Sequence, residues 1–310
     1  MRAPALLALF LALATLAASV HGAQSAHMPP GWHSVPTTPP SDPTRPWLEV
    51  LHEEARIFLF HNFLSPEEAD HIVSLASPRL KRSAVVDTAT GGSEVSQIRT
   101  SQGTFLDRGE DAIVADVERR IARWTLMPVG NGEGLQVLHY GHDQKYDAHW
   151  DYFFHKDGVK NGGNRYSTVL MYLADTEFGG ETVFPQIPAP GGDNGPTYSD
   201  CARKHLAAKP RKGDAVLFHS IAPDGELERR SLHTACPVIR GEKWSAAKWI
   251  HVGHFALGNE RPQEIRQHVQ PKHVGCKDAD SRCAEWAAQG ECDNNPGFMH
   301  TQCPESCGRC

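Results

Sequence analysis

A chain of 310 residues, 40% of them hydrophobic, can bury one sizeable core and carry an appendage beside it. Its 31 basic and 37 acidic residues give a net charge of −6 with no basic stripe, which argues against nucleic acid as a partner.

The chain starts MRAPALLALFLALATLAASVHGA: one arginine, an apolar run over residues 5–18, then small residues ending at Gly22. That run is shorter than the roughly 20 residues of a spanning helix. Residues 1–22 therefore read as a secretory signal peptide, with an uncleaved signal anchor as the alternative. Residues 23–46 form a proline-rich spacer, in which PPGWHSVPTTPPSDPTRP has no apolar period and should be extended. The folded part begins near Trp47.

RIFLFHNFLSPEEADHIVSLA predicts a strand over 57–60 and then a helix with Ser65 as N-cap, Pro66 in its first turn and Glu68 completing a capping box. A second helix is predicted over 111–124, where Ile113, Val114, Val117, Ile121 and Trp124 recur at helical spacing. From Leu135 onward short β-type runs follow: LQVLHY, STVLMYL, TVFP, AVLFH, LHTACPVI and SAAKWIHV, separated by Gly, Pro, Asp and Asn. Two helices followed by many strands predict the α+β class, a β-sandwich or barrel with helices on one side. Residues 158–164 and 188–196 read as loops, and 259–275 as a linker.

YGHDQKYDAHWDY, beginning at Tyr140, contains a His-x-Asp pair. On a strand, His149 and Asp151 would share a face and could offer an imidazole and a carboxylate to one ion. Two histidines and one carboxylate with open positions is the site type of non-haem Fe(II) oxygenases. By spacing alone His155 and Asp157 form a rival pair, so a third ligand must decide. SLHTACPVIRGEKWSAAKWIHV places His233 on one run and Lys243 at the start of the next, past a Gly-Glu turn. Such a hairpin would project both into one cavity, where a buried lysine needs a carboxylate partner.

Taken together, YGHDQKYDAHWDY, NRYSTVLMYL, GGETVFP, KGDAVLF and SLHTACPVIRGEKWSAAKWI resemble, in order and spacing, the prolyl 4-hydroxylase family of Fe(II)- and 2-oxoglutarate-dependent dioxygenases, in its plant and algal form, over residues 47–258. The resemblance implies a double-stranded β-helix (jelly-roll, cupin-like) core backed by helices. It implies His149, Asp151 and His233 as iron ligands, with His155 and Asp157 in a variable loop. It implies Lys243 as the anchor of the distal carboxylate of 2-oxoglutarate, beside Tyr140 and Thr182, and it gives no ligand role to His219, His251 or His254.

The implied reaction consumes O2 and 2-oxoglutarate, releases succinate and CO2 and hydroxylates C4 of a peptidyl proline, with ascorbate restoring iron oxidised in uncoupled turnovers. No catalytic residue is implied beyond the metal and cosubstrate ligands. The implied partner is a proline-rich peptide in polyproline II form, a preformed ligand suited to aromatic grooves. Tyr146 and Trp249 match groove positions of the family, as do Arg99, Ser101, Glu133, Arg165 and His251. Residues 87–103 read as a loop able to fold over a bound peptide. His142 and Asp143 replace the small residues usual after Tyr-Gly, making the entrance more polar.

All eight cysteines lie from Cys201 onward, an even number that fits an oxidising compartment. Cys201 and Cys236 are the only two before the tail and are expected to pair. Residues 276–310 hold the other six as Cys-x6-Cys-x8-Cys-x10-Cys-x3-Cys-x2-Cys. This small disulfide-rich module resembles the ShKT module, which implies the pairs Cys276 with Cys310, Cys283 with Cys303 and Cys292 with Cys307. The module is expected to dock an unknown protein or set localisation. The protein is thus expected in the endoplasmic reticulum or Golgi lumen, signal-anchored or secreted, acting on proline-rich secreted proteins. The alternatives are an oxygenase acting on another side chain, such as lysyl, and an inactive peptide-binding scaffold.

Overall fold

Ser65 and Glu68 close the start of the first helix in both directions. The Ser65 hydroxyl accepts the Glu68 amide at 3.2 Å and the Glu68 carboxylate accepts the Ser65 amide at 2.9 Å. These bonds satisfy two of the amides that a helix N-terminus leaves open. That helix, α1, spans Pro66–Ala76. The second, α2, spans Ala112–Thr125; Asp111 accepts from the Val114 amide at 2.8 Å, and Leu126 leaves the helix in the left-handed region. The apolar stripe of α2, Val114, Val117, Ile121 and Trp124, is buried, and so is the charged Glu118.

The computed structural model describes residues 36–83, 85–86, 93–94, 99–156, 158–258, 277–294, 299 and 302–307. The 1–22 segment expected to be a signal peptide, the first part of the expected spacer, most of the 87–103 segment, the expected linker, and Cys276 with Cys310 lie outside them. In none of the described helices is there a stretch long and apolar enough to cross a membrane. Residues 36–46 carry neither helix nor strand.

The early strands are β1 (Trp47–His52), β2 (Ile57–His61), β3 (Lys81–Arg82), β4 (Val85–Val86), β5 (Ser93–Glu94) and β6 (Gln102–Leu106). After α2 come β7 (Leu135–Tyr140), β8 (Tyr146–His149), β9 (Arg165–Tyr172), β10 (Phe178–Gly179), β11 (Thr182–Pro188) and β12 (His205–Ala208). The last are β13 (Ala215–His219), β14 (His233–Ala235), β15 (Val238–Arg240) and β16 (Lys243–His251). An eight-stranded sheet runs β1-β2-β13-β9-β16-β7-β6-β3, and a four-stranded sheet runs β12-β11-β14-β8. All their pairings are antiparallel.

Alternation along the strands separates two cores. Val137, Val169, Met171, Leu217 and Ala246 pack on one side of the large sheet with Ile72 of α1 and Val117 of α2. Tyr172, Val216 and Phe218 face the other way, meeting Phe184 and Ile187 of the small sheet. This is the double-stranded β-helix with helices on one side, in the α+β class.

The expected LHTACPVI strand and the hairpin after it are not built. LHTACPVI is not one strand: Cys236 is tied to Cys201 and Pro237 has no amide to donate, so β14 ends at Ala235. The chain then leaves the small sheet, pairs β15 with β10, and turns at Gly241, whose φ is 78°, into β16 of the large sheet. His233 and Lys243 are therefore not on a hairpin; they sit on two different sheets. The 87–103 segment also ends in fixed structure, since Arg99 and Ser101 are buried and Gln102 and Gly103 belong to β6.

Residues 256–310 form a second compact unit. It contains α3 (Cys283–Ala288), α4 (Glu291–Asn294) and the disulfides Cys283–Cys303 and Cys292–Cys307. Buried Cys283, Met299 and Cys303 make its small core. So few apolar groups cannot hold such a unit alone, and the crosslinks supply the remainder by restricting the unfolded chain.

Candidate active site

Strand register sets the first half of the site. β14 pairs with β8 so that His233 lies opposite His149, with ring centroids 4.3 Å apart. Each ring is held by its Nδ1, which donates to a backbone carbonyl, Asp147 at 2.8 Å and Ser231 at 2.9 Å respectively. This fixes the tautomer and leaves each Nε2 with a lone pair facing inward. Asp151 is not on the strand as expected. β8 ends at His149, and the Asp151 carboxylate reaches the site from just beyond, 3.7 Å from His149 Nε2 and 3.8 Å from His233 Nε2.

Asp151 is positioned by two partners far from it in sequence. Thr168 Oγ1 donates to its Oδ2 at 2.6 Å, and Arg165 donates to its backbone carbonyl at 3.2 Å. Burial alone would raise the Asp151 pKa, but the neighbouring imidazoles of His233 and His149, the Arg165 guanidinium and the Thr168 hydrogen bond hold it below the usual range. For His149, burial and the adjacent His233 lower the pKa, so the ring is neutral. The ligand atoms of all three residues lie within 4.8 Å of one another. Two imidazoles and one carboxylate, confined to one side, are the donor set that suits Fe(II) and leaves positions open for other ligands. Among the described residues no other group of three or more His, Cys, Asp or Glu side chains could hold a metal ion.

Across the same pocket stands Lys243, 1% exposed. It pairs in register with Tyr140, and its Nζ lies 5.5 Å from the Tyr140 ring centroid and 5.7 Å from that of Tyr172. Burial depresses its pKa to about 7, opposed by the charge of Glu181. The Glu181 carboxylate is itself occupied by the Ser199 amide and hydroxyl. Thr182 Oγ1 accepts from the Tyr172 hydroxyl at 2.8 Å and lines the pocket beside the lysine. A buried ammonium with no ion pair among the described residues is costly, and the carboxylate of a bound acid would complete it.

Of the expected groove residues, Arg99, Tyr146 and Trp249 line this pocket. The Tyr146 ring stacks on His149 at 3.6 Å, and the Arg99 guanidinium lies 4.8 Å from the Tyr146 centroid. Ser101, Glu133, Arg165 and His251 stand behind the wall. Glu133 Oε1 accepts from Arg165 Nε at 2.7 Å and from His251 Nε2 at 2.9 Å, and Arg165 lies 3.8 Å over the Trp249 ring. Ser101 is fully buried and hydrogen-bonded to Ser83. His155 accepts the Gly158 amide outside the pocket, and Asp157 is outside the described residues. His142 and Asp143 are exposed and are not among the residues lining the pocket.

Sequence reasoning missed Thr168, Gln136 and Tyr172. Gln136 lines the pocket and accepts from Arg99 at 2.7 Å. Their only trace in the sequence is a polar or hydroxyl-bearing residue on the inward phase of an otherwise apolar strand.

Two imidazoles and a carboxylate facing a buried lysine across an apolar pocket define a 2-oxoglutarate-dependent iron oxygenase. Residues 135–251 match the model of the 2OG-Fe(II) oxygenase superfamily, and residues 275–310 match the ShK domain-like model. The Arabidopsis thaliana protein named probable prolyl 4-hydroxylase 4 is 46% identical over 268 residues, covering 84% of this chain and 86% of its own length. Prolyl 4-hydroxylase 2 of the same plant is 46% identical over 267 residues, covering 85% of each. A solved viral collagen prolyl hydroxylase from Paramecium Bursaria Chlorella virus-1 aligns over 63% of this chain and 94% of that one, with 25% identity and a TM-score of 0.46. The chain belongs to the prolyl 4-hydroxylase family.

Proposed function

We propose that the protein hydroxylates C4 of peptidyl proline in proline-rich secreted proteins, using O2 and 2-oxoglutarate and releasing succinate and CO2. The observation that carries this is the pairing of the His149, Asp151 and His233 cluster with the buried Lys243 in one pocket whose other walls are Tyr146 and Trp249.

In this reading His149, Asp151 and His233 hold Fe(II), and Lys243 takes the distal carboxylate of 2-oxoglutarate, flanked by Tyr140 and Thr182. Fe(II) with 2-oxoglutarate and O2 supplies the oxidising power that places one oxygen atom in succinate and the other at proline C4. The chain's own residues position and exclude. Leu138, Leu170, Phe218 and Ala247 make the wall apolar and keep water from the reacting centre. Tyr146 and Trp249 offer flat faces to a proline ring, and the Trp249 Nε1, which has no hydrogen-bond partner among the described residues, is left to donate to a peptide carbonyl. Glu133 braces Arg165 and His251, and Arg165 in turn lies over the Trp249 ring and donates to the Asp151 carbonyl. Polyproline II is the conformation that suits this groove, because it is preformed and projects its rings outward.

Ascorbate serves as the reductant after uncoupled turnovers. We assign the work to the endoplasmic reticulum or Golgi lumen, a reading that the signal-like start and the disulfides support. Residues 47–258 are assigned as the catalytic domain and 276–310 as an ShK-like module that binds a partner protein. Succinate release from purified protein with Fe(II), ascorbate and 2-oxoglutarate should rise when poly-proline peptide is added. A lysine-rich peptide should not replace it; if it alone stimulates turnover, the target side chain is wrong.

A further inference from the structure

Phe105 is half exposed, an unusual state for a phenylalanine in a sheet. Register explains where it points. Phe105 on β6 lies opposite Gln136 on β7, Gln136 opposite Ala247 on β16, and Ala247 opposite Leu170 on β9. Directly paired residues share a face, so these four form one row across the sheet. Gln136, Ala247 and Leu170 all line the active-site pocket, and Phe105 is the outer end of that row. Its neighbour Leu106 faces the opposite way, into the helix-side core, as strand alternation requires.

The Phe105 ring lies 6.3 Å from the Trp249 ring, centroid to centroid, at an interplanar angle of 45°. Trp249 is in the pocket and Phe105 is outside it, so the apolar surface continues from the iron ligands to the protein surface. Two positions back along β6, Gly103 shares the same face and presents no side chain; a Cβ there would come within 2.7 Å of Leu138. The surface beside Phe105 is therefore kept low, like a shelf.

Polyproline II advances about 3.1 Å per residue, so rings resting on Trp249 and on Phe105, whose own rings are 6.3 Å apart, would be about two residues apart in such a chain. We propose that Phe105 is a specificity-determining residue that receives a proline ring about two residues along the substrate chain from the ring that rests on Trp249, making the enzyme favour runs of proline over isolated ones. This rests on the prolyl 4-hydroxylase reading, and the occupant is the substrate chain itself, leaving the pocket along the row that ends at Phe105.

The test is steady-state kinetics of Phe105→Ala and Phe105→Tyr on a ten-residue poly-proline peptide, on a three-residue peptide and on 2-oxoglutarate. Phe105→Ala should raise KM for the long peptide roughly three- to tenfold, as loss of one ring contact does. The kcat, the KM for the short peptide and the KM for 2-oxoglutarate should stay within about twofold, and Phe105→Tyr should keep the wild-type KM. An unchanged KM for the long peptide, or an equal rise for both peptides, would overturn the assignment. A wild-type enzyme that turns over no proline peptide would instead sink the reading on which it rests.

Discussion

His149 and His233, 84 residues apart in the chain, are directly opposed across β8 and β14, and both donate Nδ1–H to a carbonyl two residues before them. The same local device thus fixes both imidazoles, and the strand pairing alone decides that their free nitrogens converge. Lys243 faces them from the other sheet.

If Lys243 takes the cosubstrate carboxylate as proposed, binding should depend on pH. The Lys243 pKa of about 7 in the absence of a bound acid must rise when a carboxylate pairs with it, so binding takes up a proton above pH 7. The 2-oxoglutarate affinity should weaken by about tenfold for each pH unit above 7, until the pKa of the complex is reached. Calorimetry with Mn(II) in place of Fe(II) at pH 6.5 and 8.5 measures this. Lys243→Arg, which stays charged, should flatten the dependence.

Lys243 also costs stability. Replacing it by methionine removes a buried amine, so Lys243→Met should leave the thermal midpoint unchanged or raise it while abolishing 2-oxoglutarate binding. A variant that loses binding only because it unfolds would fail this expectation.

Thr168 donates to Asp151 Oδ2, and in the proposed reading it thereby positions a metal ligand. Thr168→Val should lower metal affinity by about 10- to 100-fold, while Thr168→Ser, which keeps the donor, should stay near wild type. Titration with Co(II), followed by visible absorption, reads this without turnover.

Lys248 and Glu118 form an ion pair with side chains 2% and 1% exposed, and Lys248 also donates to the Glu133 carbonyl. Lys248→Met leaves Glu118 charged and buried, and should cost about 3–5 kcal/mol in urea unfolding. Adding Glu118→Gln should recover much of that, because the neutral amide oxygen still accepts the Gly109 amide.

What the sequence could disclose follows from the range of each interaction. The Ser65–Glu68 capping box and the stripe on α2 are local, so their residues announce them. The sheet core was visible as β-type runs, but register was not, and register places Phe105 beside the pocket and separates His233 from Lys243. The His-x-Asp pattern alone could not rank His149 and Asp151 above His155 and Asp157; the family motifs around it did so. Partners such as Lys248 with Glu118, 130 residues apart, or Arg165 with Glu133, leave no periodic trace. A buried charge on an inward strand position is the one hint such networks give.

The most direct measurement is mass spectrometry and NMR of a poly-proline peptide after incubation with the protein, Fe(II), ascorbate and 2-oxoglutarate, beside an Asp151→Ala control. The account predicts one added oxygen atom per modified residue, located at proline C4, with matching succinate, and none of this in the control. Succinate release without any oxygen on proline, or equal modification by the Asp151→Ala protein, would contradict it.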